Sequence, residues 1–362
     1  MNAARHFSDL TWELLGRYIA ANDHLCAASF SSCNVSDSDT KALMRGLTHS
    51  LVLKSFDLSD NEIGPDGIKV VTPFLRRCPC LSELDIDGNN DVKTEGFELL
   101  VDSLKGGSIE ELRVEMCGVG SIIALERNSL PCLRNLDLGG NNITRIPSLD
   151  NLPKLESLFL DRNEIDLDGY HAIAKLLQKR ESTLTLLSLC STGMCDKGAN
   201  IIAKSLRSNT KLRTLEMRGR NSFSREGLLS FLKLLNDISS IDNTVNSNHT
   251  ILALGFPERV RYDQPQIMRF IDFAINMNRI HKGTTEAAGK AKVMGSQLNT
   301  NKRARLSRLQ GLHHGSSHVF SQIKSCLLPD VLAQTGMKHG LNELFRMVTS
   351  TSPHLMALRE QF

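Results

Sequence analysis

From Leu53 the chain reads LKSFDLSDNEI, with apolar residues at Leu53, Phe56, Leu58 and Ile63 and an asparagine at Asn61. The same frame returns from Leu81, Ile109, Leu133, Leu155, Leu184 and Leu212, more weakly from Leu25, and as a degraded copy from Ile238. Successive starts lie 28, 28, 28, 24, 22, 29, 28 and 26 residues apart. A period this regular predicts a solenoid of stacked coils. Around Phe56-Asp57-Leu58 apolar and polar positions alternate, as they must in a strand with one buried face. The chain then turns inward at Asn61, and the equivalent positions hold Cys33, Asn89, Cys117, Asn141, Asn163 and Thr192. All are compact and able to hydrogen-bond, which predicts a buried column serving backbone groups that no strand partner reaches. Cys33 and Cys117 are column residues in this reading.

The second half of each long repeat has helical spacing. Thr40, Leu43 and Leu47, then Ile68, Val71 and Leu75, then Phe97, Leu100 and Leu104 fall at i, i+3 and i+7. Tyr170, Ile173 and Leu177 follow, then Ala199, Ile202 and Leu206, then Leu228, Phe231 and Leu235. That spacing lines one face of a helix. Trp12, Leu15 and Ile19 fit the same frame before the first strand, so the lone tryptophan belongs to a half-repeat cap at 8–24. The repeats from Ile109 and Leu133 are short, and Pro131, Pro147 and Pro153 predict an extended or 3₁₀ outer segment there, since proline cannot sit inside a helix.

A repeat of 28 or 29 residues reading LxxLxLxxNxIGxxGxxxLxxxL, matched closely by IGPDGIKVVTPFL at 63–75, resembles the ribonuclease-inhibitor type of leucine-rich repeat. The resemblance implies an α/β fold: a leucine-rich-repeat solenoid (horseshoe) with a parallel concave sheet and a mostly helical convex side. It speaks to architecture and not to activity. The solenoid domain is placed at 1–256, with about eight repeats and the degraded last one at 238–256. A helical C-terminal extension takes 257–362, its first helix opening at Asp263 and Pro265 with an apolar face of Ile267, Phe270, Ala274 and Met277.

Composition sharpens this division. Residues 1–262 carry 30 Lys and Arg against 34 Asp and Glu, whereas 263–362 carry 13 against 6. Aromatics are only 5%, which suits a thin leucine-built core. Nine scattered cysteines and an opening with no apolar core predict a reduced, cytoplasmic or nuclear chain with no membrane span.

Candidate chemistry mostly fails on inspection. GTTEAAGKA at 283–291 has the wrong glycine spacing for a phosphate loop, and Ala291 stands where a hydroxyl is needed. His313, His314 and His318 lack the second ligand pair of a metal site. Cys78-Pro79-Cys80 has one residue between its thiols, not two, and reads as a tight turn. LTWELLGRYIAAND at 10–23 lacks the proline of an F-box, and KRARLSR at 302–308 reads as a solvated helix face. The expectation is a non-enzymatic chain without cofactor or metal.

The polar positions between strand leucines face the concave side. One column reads Ser29, Asp57, Asp85, Arg113, Asp137, Phe159, Ser188 and Glu216. Two residues later come Ser31, Ser59, Asp87, Glu115, Gly139, Asp161, Cys190 and Arg218, and the preceding column adds Glu83 and Glu111. From the repeat at Leu53 to that at Leu155, eight acids face one arginine. Beside them Phe159, Leu186 and Cys190 form an exposed apolar spot, the anatomy of an interface anchor with a charged surround. The expected partner is another protein with a basic surface, bound by a monomer, with no nucleic acid and no membrane involved. The alternative is a small-GTPase regulator, because the Ran GTPase-activating proteins share this repeat type.

Overall fold

The structure, a computed structural model, describes residues 7–281, 285–293, 296 and 308–309. It falls into two compact units, Met1–Ser222 with Ala253–Glu258, and Phe223–Leu252 with Arg259–Phe362. The first unit contains nine three-residue strands among the described residues: β1 Ala27–Ser29, β2 Ser55–Asp57, β3 Glu83–Asp85, β4 Glu111–Arg113, β5 Asn135–Asp137, β6 Ser157–Phe159, β7 Leu186–Ser188, β8 Thr214–Glu216 and β9 Ala253–Gly255. They form one sheet in sequence order, every adjacent pair parallel. Opposite the sheet run α1 Asp9–Ala21, α2 Asp37–Gly46, α3 Pro65–Leu75, α4 Lys93–Leu104, the single turn α5 Ala124–Arg127, α6 Leu167–Gln178 and α7 Asp196–Ser205. This is the horseshoe solenoid that the repeat implies.

The leucine frame and the helical triplets explain the core. The central residue of each strand from β1 to β9 is buried, and so are the three positions named above for α2, α3, α4, α6 and α7, all apolar but Thr40, with Leu47 and Leu206 at the C-caps of α2 and α7. Between β5 and β6 no helix forms, as the prolines of the short repeat from Leu133 predict, whereas the short repeat from Ile109 departs from that expectation by keeping the single α-helical turn α5. At the N-terminus α1 packs on α2 through Gly16 and Gly46. A β-carbon on Gly16 would lie 2.2 Å from the Leu43 carbonyl, so the two backbones touch. Trp12 is buried and meets Phe30 edge-on at 5.6 Å, as its place in a cap requires. Leu15 is half-buried.

After each strand from β1 to β7 a left-handed residue stands just before the column position: Ser32, Asp60, Gly88, Met116, Gly140, Arg162 and Ser191. The turn this makes sends the next residue inward. Asn141 shows what it meets there. Its Oδ1 accepts the N–H groups of Cys117 and Val119, each at 3.0 Å, and its Nδ2 donates to the carbonyls of Val114 at 2.7 Å and Leu138 at 3.0 Å. Asn61 repeats the arrangement, and Asn89 and Asn163 keep both carbonyl bonds while accepting one N–H each, from Ile63 and Ile143. Cys117 substitutes a thiol that donates to the Ile86 carbonyl. Thr192 lacks an amide, and the Tyr170 hydroxyl reaches it at 3.0 Å.

Three details depart from the sequence frame. Cys33 holds its column position but is exposed, because the column ends in its coil. In the repeat from Leu212 the column residue is Asn221, one place later than the frame puts it. A left-handed Gly219 absorbs the extra residue, and Asn221 Oδ1 accepts from Thr192 and Met194. Where a repeat from Ile238 would place its strand, the chain forms the helix α9 Ile241–Val245, and the last strand is β9.

The second unit holds α8 Arg225–Leu235, α9, most of α10 Glu258–Asp263, α11 Pro265–Ile280 and α12 Thr285–Lys292. GTTEAAGKA thus lies largely in a helix, while the histidines at 313–318 and most of 302–308 fall outside the described residues. In α11 the buried face is Ile267, Met268, Ile271, Ala274 and Ile275, rotated from the expected one so that Phe270 and Met277 are only half-buried. No helix among the described residues is long and apolar enough to cross a membrane.

Replacing Asn141 by Ala removes partners from four buried backbone groups at once. The expected cost is roughly 2–4 kcal/mol in urea denaturation, against under about 0.5 kcal/mol for Asn142→Ala at its exposed neighbour. Equal costs would show that the column does not carry the fold. Cysteine alkylation checks its two ends. Burial pushes the Cys117 thiol up to about 12, so it should react only on unfolding, whereas the exposed Cys33 should react in the native protein.

Candidate functional site: an acidic concave face

The short strands fix the inner columns by register. Asp57, Asp85, Arg113, Asp137, Phe159 and Ser188 pair in sequence along one line, and Ser55, Glu83, Glu111, Asn135, Ser157 and Leu186 along another. Beyond the strands the ladder continues through backbone bonds to Asp87, Glu115, Gly139, Asp161 and Cys190, which form the third column. Adjacent strands stand about 4.8 Å apart, so carboxylates on neighbouring coils are within strong mutual repulsion. The eight acids, Arg113, Phe159, Leu186 and Cys190 therefore lie along one continuous stretch, from β2 to the turn after β7.

The acids are not equivalent. In Asp57, Asp85 and Asp137 one carboxylate oxygen accepts the backbone N–H two residues on, from Ser59, Asp87 and Gly139, each at 2.9 Å. Asp87 and Asp161 instead reach the next coil. Asp87 accepts the N–H of Glu115 at 2.5 Å, while Asp161 accepts the N–H of Cys190 at 2.7 Å and the Ser188 hydroxyl at 2.5 Å. These five carboxylates satisfy donors at the strand ends, a structural duty the charge pattern alone does not reveal. The signal was available: an acid recurring at one fixed place in the repeat is well placed to bond its own turn or the next one.

Positive charge is scarce. Arg113 pairs with Glu111 and lies 3.6 Å from Asp85. Arg162, missed by the column reading because it stands at the left-handed turn after β6, reaches Glu115 at 3.4 Å. Burial and then the charges of Asp85, Asp137 and Glu115 push Asp87 up to about 7. Burial, with Glu115 and Asp161 adding to it, pushes Asp137 up to about 6. Asp85 is raised chiefly by burial. At the end of the run the balance reverses. Burial acts to raise Asp57, but donation from the Ser29 hydroxyl and from both the backbone and hydroxyl of Ser59 outweighs it and holds the carboxyl below its ordinary value. Phe159, Leu186 and Cys190 are half-buried rather than fully exposed, so the apolar spot is smaller than their sequence positions suggest. Among the described residues no group of three His, Cys, Asp or Glu has the geometry to hold a metal ion, so the carboxylates here meet one another across the sheet without forming a cage.

Two stretches match models of the repeat, residues 126–170 a model described as Leucine Rich repeats (2 copies) and residues 49–71 one described as Leucine Rich repeat. Over 224 residues the chain is 25% identical to ribonuclease inhibitor of Sus scrofa, a match covering 49% of this chain and 48% of that protein. The chain is built of leucine-rich repeats, and they are similar to those of the ribonuclease-inhibitor kind. This leucine-rich-repeat protein spans about half the length of that relative. It is also 24% identical over 241 residues to the capping protein, Arp2/3 and myosin-I linker protein 3 of Rattus norvegicus, covering 66% of this chain and 14% of the other. With the Rho GTPase-activating protein gacW of Dictyostelium discoideum it shares 27% identity over 187 residues, 46% of this chain and 16% of that one. Among solved structures, an internalin C2 of Listeria monocytogenes aligns with 60% of this chain and 85% of its own, at 20% identity and a TM-score of 0.38.

The raised carboxyls set a pH dependence for this leucine-rich-repeat protein. A carboxyl whose pKa is higher folded than unfolded stabilises the fold most when protonated, below about pH 4, and that contribution is lost as pH rises through 6 to 7. Asp87→Asn keeps an acceptor for the Glu115 N–H and removes the charge. Allowing for solvent screening, it should raise stability by about 1 kcal/mol at pH 8 and have little effect at pH 5. An equal shift in the urea midpoint at both pH values would mean that charge is not the cause.

Proposed function

We propose that this chain is a non-enzymatic scaffold that docks a basic partner protein on the concave face between β2 and β7. The observation that carries the proposal is the shortage of cations. Eight carboxylates line the run from β2 to the turn after β6, and Arg113 and Arg162 are the arginines seen to reach them among the described residues. Asp87 and Asp137 hold protons at a pH where an ordinary aspartate has lost them. A partner bringing lysines or arginines to this face relieves the repulsion, and the field speeds the encounter. Phe159 and Leu186 supply the apolar contact beside it. The relative from Sus scrofa is by name an inhibitor of a ribonuclease, which makes a basic ribonuclease an informative probe.

Titration with a pancreatic-type ribonuclease, with a second basic protein of unrelated fold and with an acidic protein tests the proposal. Combining Asp85→Asn, Glu115→Gln and Asp137→Asn should weaken binding of a basic probe at least tenfold at low salt and flatten its salt dependence. The fold should be retained. Binding should also release protons near pH 6–7, because a cation draws Asp87 and Asp137 back down. Undiminished binding by the triple variant would place the working surface elsewhere.

A second reading, regulation of a small GTPase, is favoured by the likeness to gacW. GTP hydrolysis by a panel of small GTPases, with and without the chain, separates the two: a scaffold leaves the rates unchanged.

A further inference from the structure

The second unit carries a surface of opposite sign. A cavity of about 760 Å³ opens beside α11, lined by Gln266, Arg269, Phe270 and Phe273 together with Arg225 and Arg308. The four α11 residues recur every three or four positions, so they form one stripe about 10 Å long over two helical turns. Phe270 and Phe273 stand half-exposed although α11 has a complete buried face without them. Arg225, Arg269 and Arg308 are exposed. None of the described lining residues is acidic, and Asp272, the one acid of α11, is paired with Arg261 at 3.2 Å. Arg225 opens the 11-residue α8, and Gln266 stands in the first turn of the 16-residue α11. Two helix N-terminal turns, the positive ends of their dipoles, thus contribute to the same lining as the arginines.

We infer that this groove is a second docking site, which takes an acidic peptide segment of a partner protein through a large apolar side chain flanked by carboxylates. Guanidinium groups match carboxylates in a two-bond fork, and the half-exposed phenylalanines give an apolar floor for an anchor. Arginine rims around aromatic floors are the composition of interface hot spots. The cavity is large enough for a small ligand, but its arginines all stand on exposed residues. The walls therefore do not enclose a free molecule, and a chain laid along the α11 stripe uses the length that is present. The inference does not rest on the concave face. It concerns other residues, the other unit and a partner of opposite charge.

The test uses the full chain and three fluorescein-labelled twelve-residue peptides in fluorescence polarisation. One repeats Glu-Asp-Leu-Phe, one replaces its acids by lysine, and one keeps the acids but replaces Leu and Phe by Ser. The first should bind most tightly, weaken with added salt, and lose at least tenfold in affinity with Arg225→Ala combined with Arg269→Ala. The serine peptide should bind at least fivefold more weakly than the first. The triple variant of the concave face should bind the Glu-Asp-Leu-Phe peptide unchanged, which keeps the two sites distinguishable. Should the double alanine variant fold poorly, the salt dependence and the order of the peptides on the unaltered protein still decide. Equal binding of the acidic and lysine peptides, no effect of the arginine substitutions in a folded variant, full displacement by millimolar inorganic phosphate, or arginine-dependent binding to phosphatidylserine vesicles in place of the peptide would each overturn the inference.

Discussion

Everything in the solenoid depends on one constraint: a strand of three residues leaves most of its coil's backbone without a strand partner. A buried N–H or carbonyl left unpaired costs more than a single hydrogen bond returns. The side-chain column solves this at every coil, one amide closing two N–H groups and two carbonyls around Asn141 and around its counterparts at Asn61 and Asn221. The left-handed residue before each column position is the geometric condition for it. At Gly88 and Gly140 an added β-carbon would lie 2.4 Å from the Asp60 carboxylate and 2.6 Å from the Met116 side chain of the preceding coil, so a larger residue there requires those side chains to shift. Once turn and column are in place, the outer segment is free to be a helix, a single turn or an extended stretch, and the inner face is free to vary.

The inner face uses that freedom in a way that does not favour the fold. Burial first, and then the neighbouring carboxylates, raise Asp87 and Asp137 above the ordinary carboxylate value, and the bonds from the Glu115 and Gly139 backbone N–H groups offset this only in part. An uncharged serine can serve the same donor without the repulsion: Ser29, in the column of Asp57 and Asp85, accepts the Ser31 N–H at 3.4 Å. The architecture asks for acceptors at these positions and not for charge, so the excess charge between β3 and β6 is the feature on which the proposed docking role rests.

What could be read from the sequence follows the same division. Strand leucines, helical triplets and the column at Asn61, Asn89, Asn141 and Asn163 recur because burial and backbone satisfaction recur, so their period exposes them. Single events have no period. The slip to Asn221 depends on one glycine, the displacement of the last strand to Ala253 on an inserted helix, and the exposure of Cys33 on its place at the end of the column. The rotation of α11 that leaves Phe270 half-buried was hidden because its apolar residues fit more than one stripe. At the acidic face the charges were legible, but not the bonds of Asp87 and Asp161 to the next coil, since sequence shows which groups lie near one another and not which of them are already engaged.

The column also has a direction. Asn61 closes groups of the coil before it, at Phe30, Cys33 and Val35; Asn89 does so at Leu58 and Ile63, Asn141 at Val114, Cys117 and Val119, and Asn221 at Leu189, Thr192 and Met194. Wherever the column residue is an asparagine, the coil before it is thus completed by the one that follows it in the chain. In a chain that folds as it is made, a coil of this kind is not fully satisfied until its successor has been added. Peeling has the opposite asymmetry. Losing a coil from the N-terminal side takes no amide away from those that remain, whereas losing one from the C-terminal side unlocks its predecessor, and the solenoid is frail at one end and self-sealed at the other.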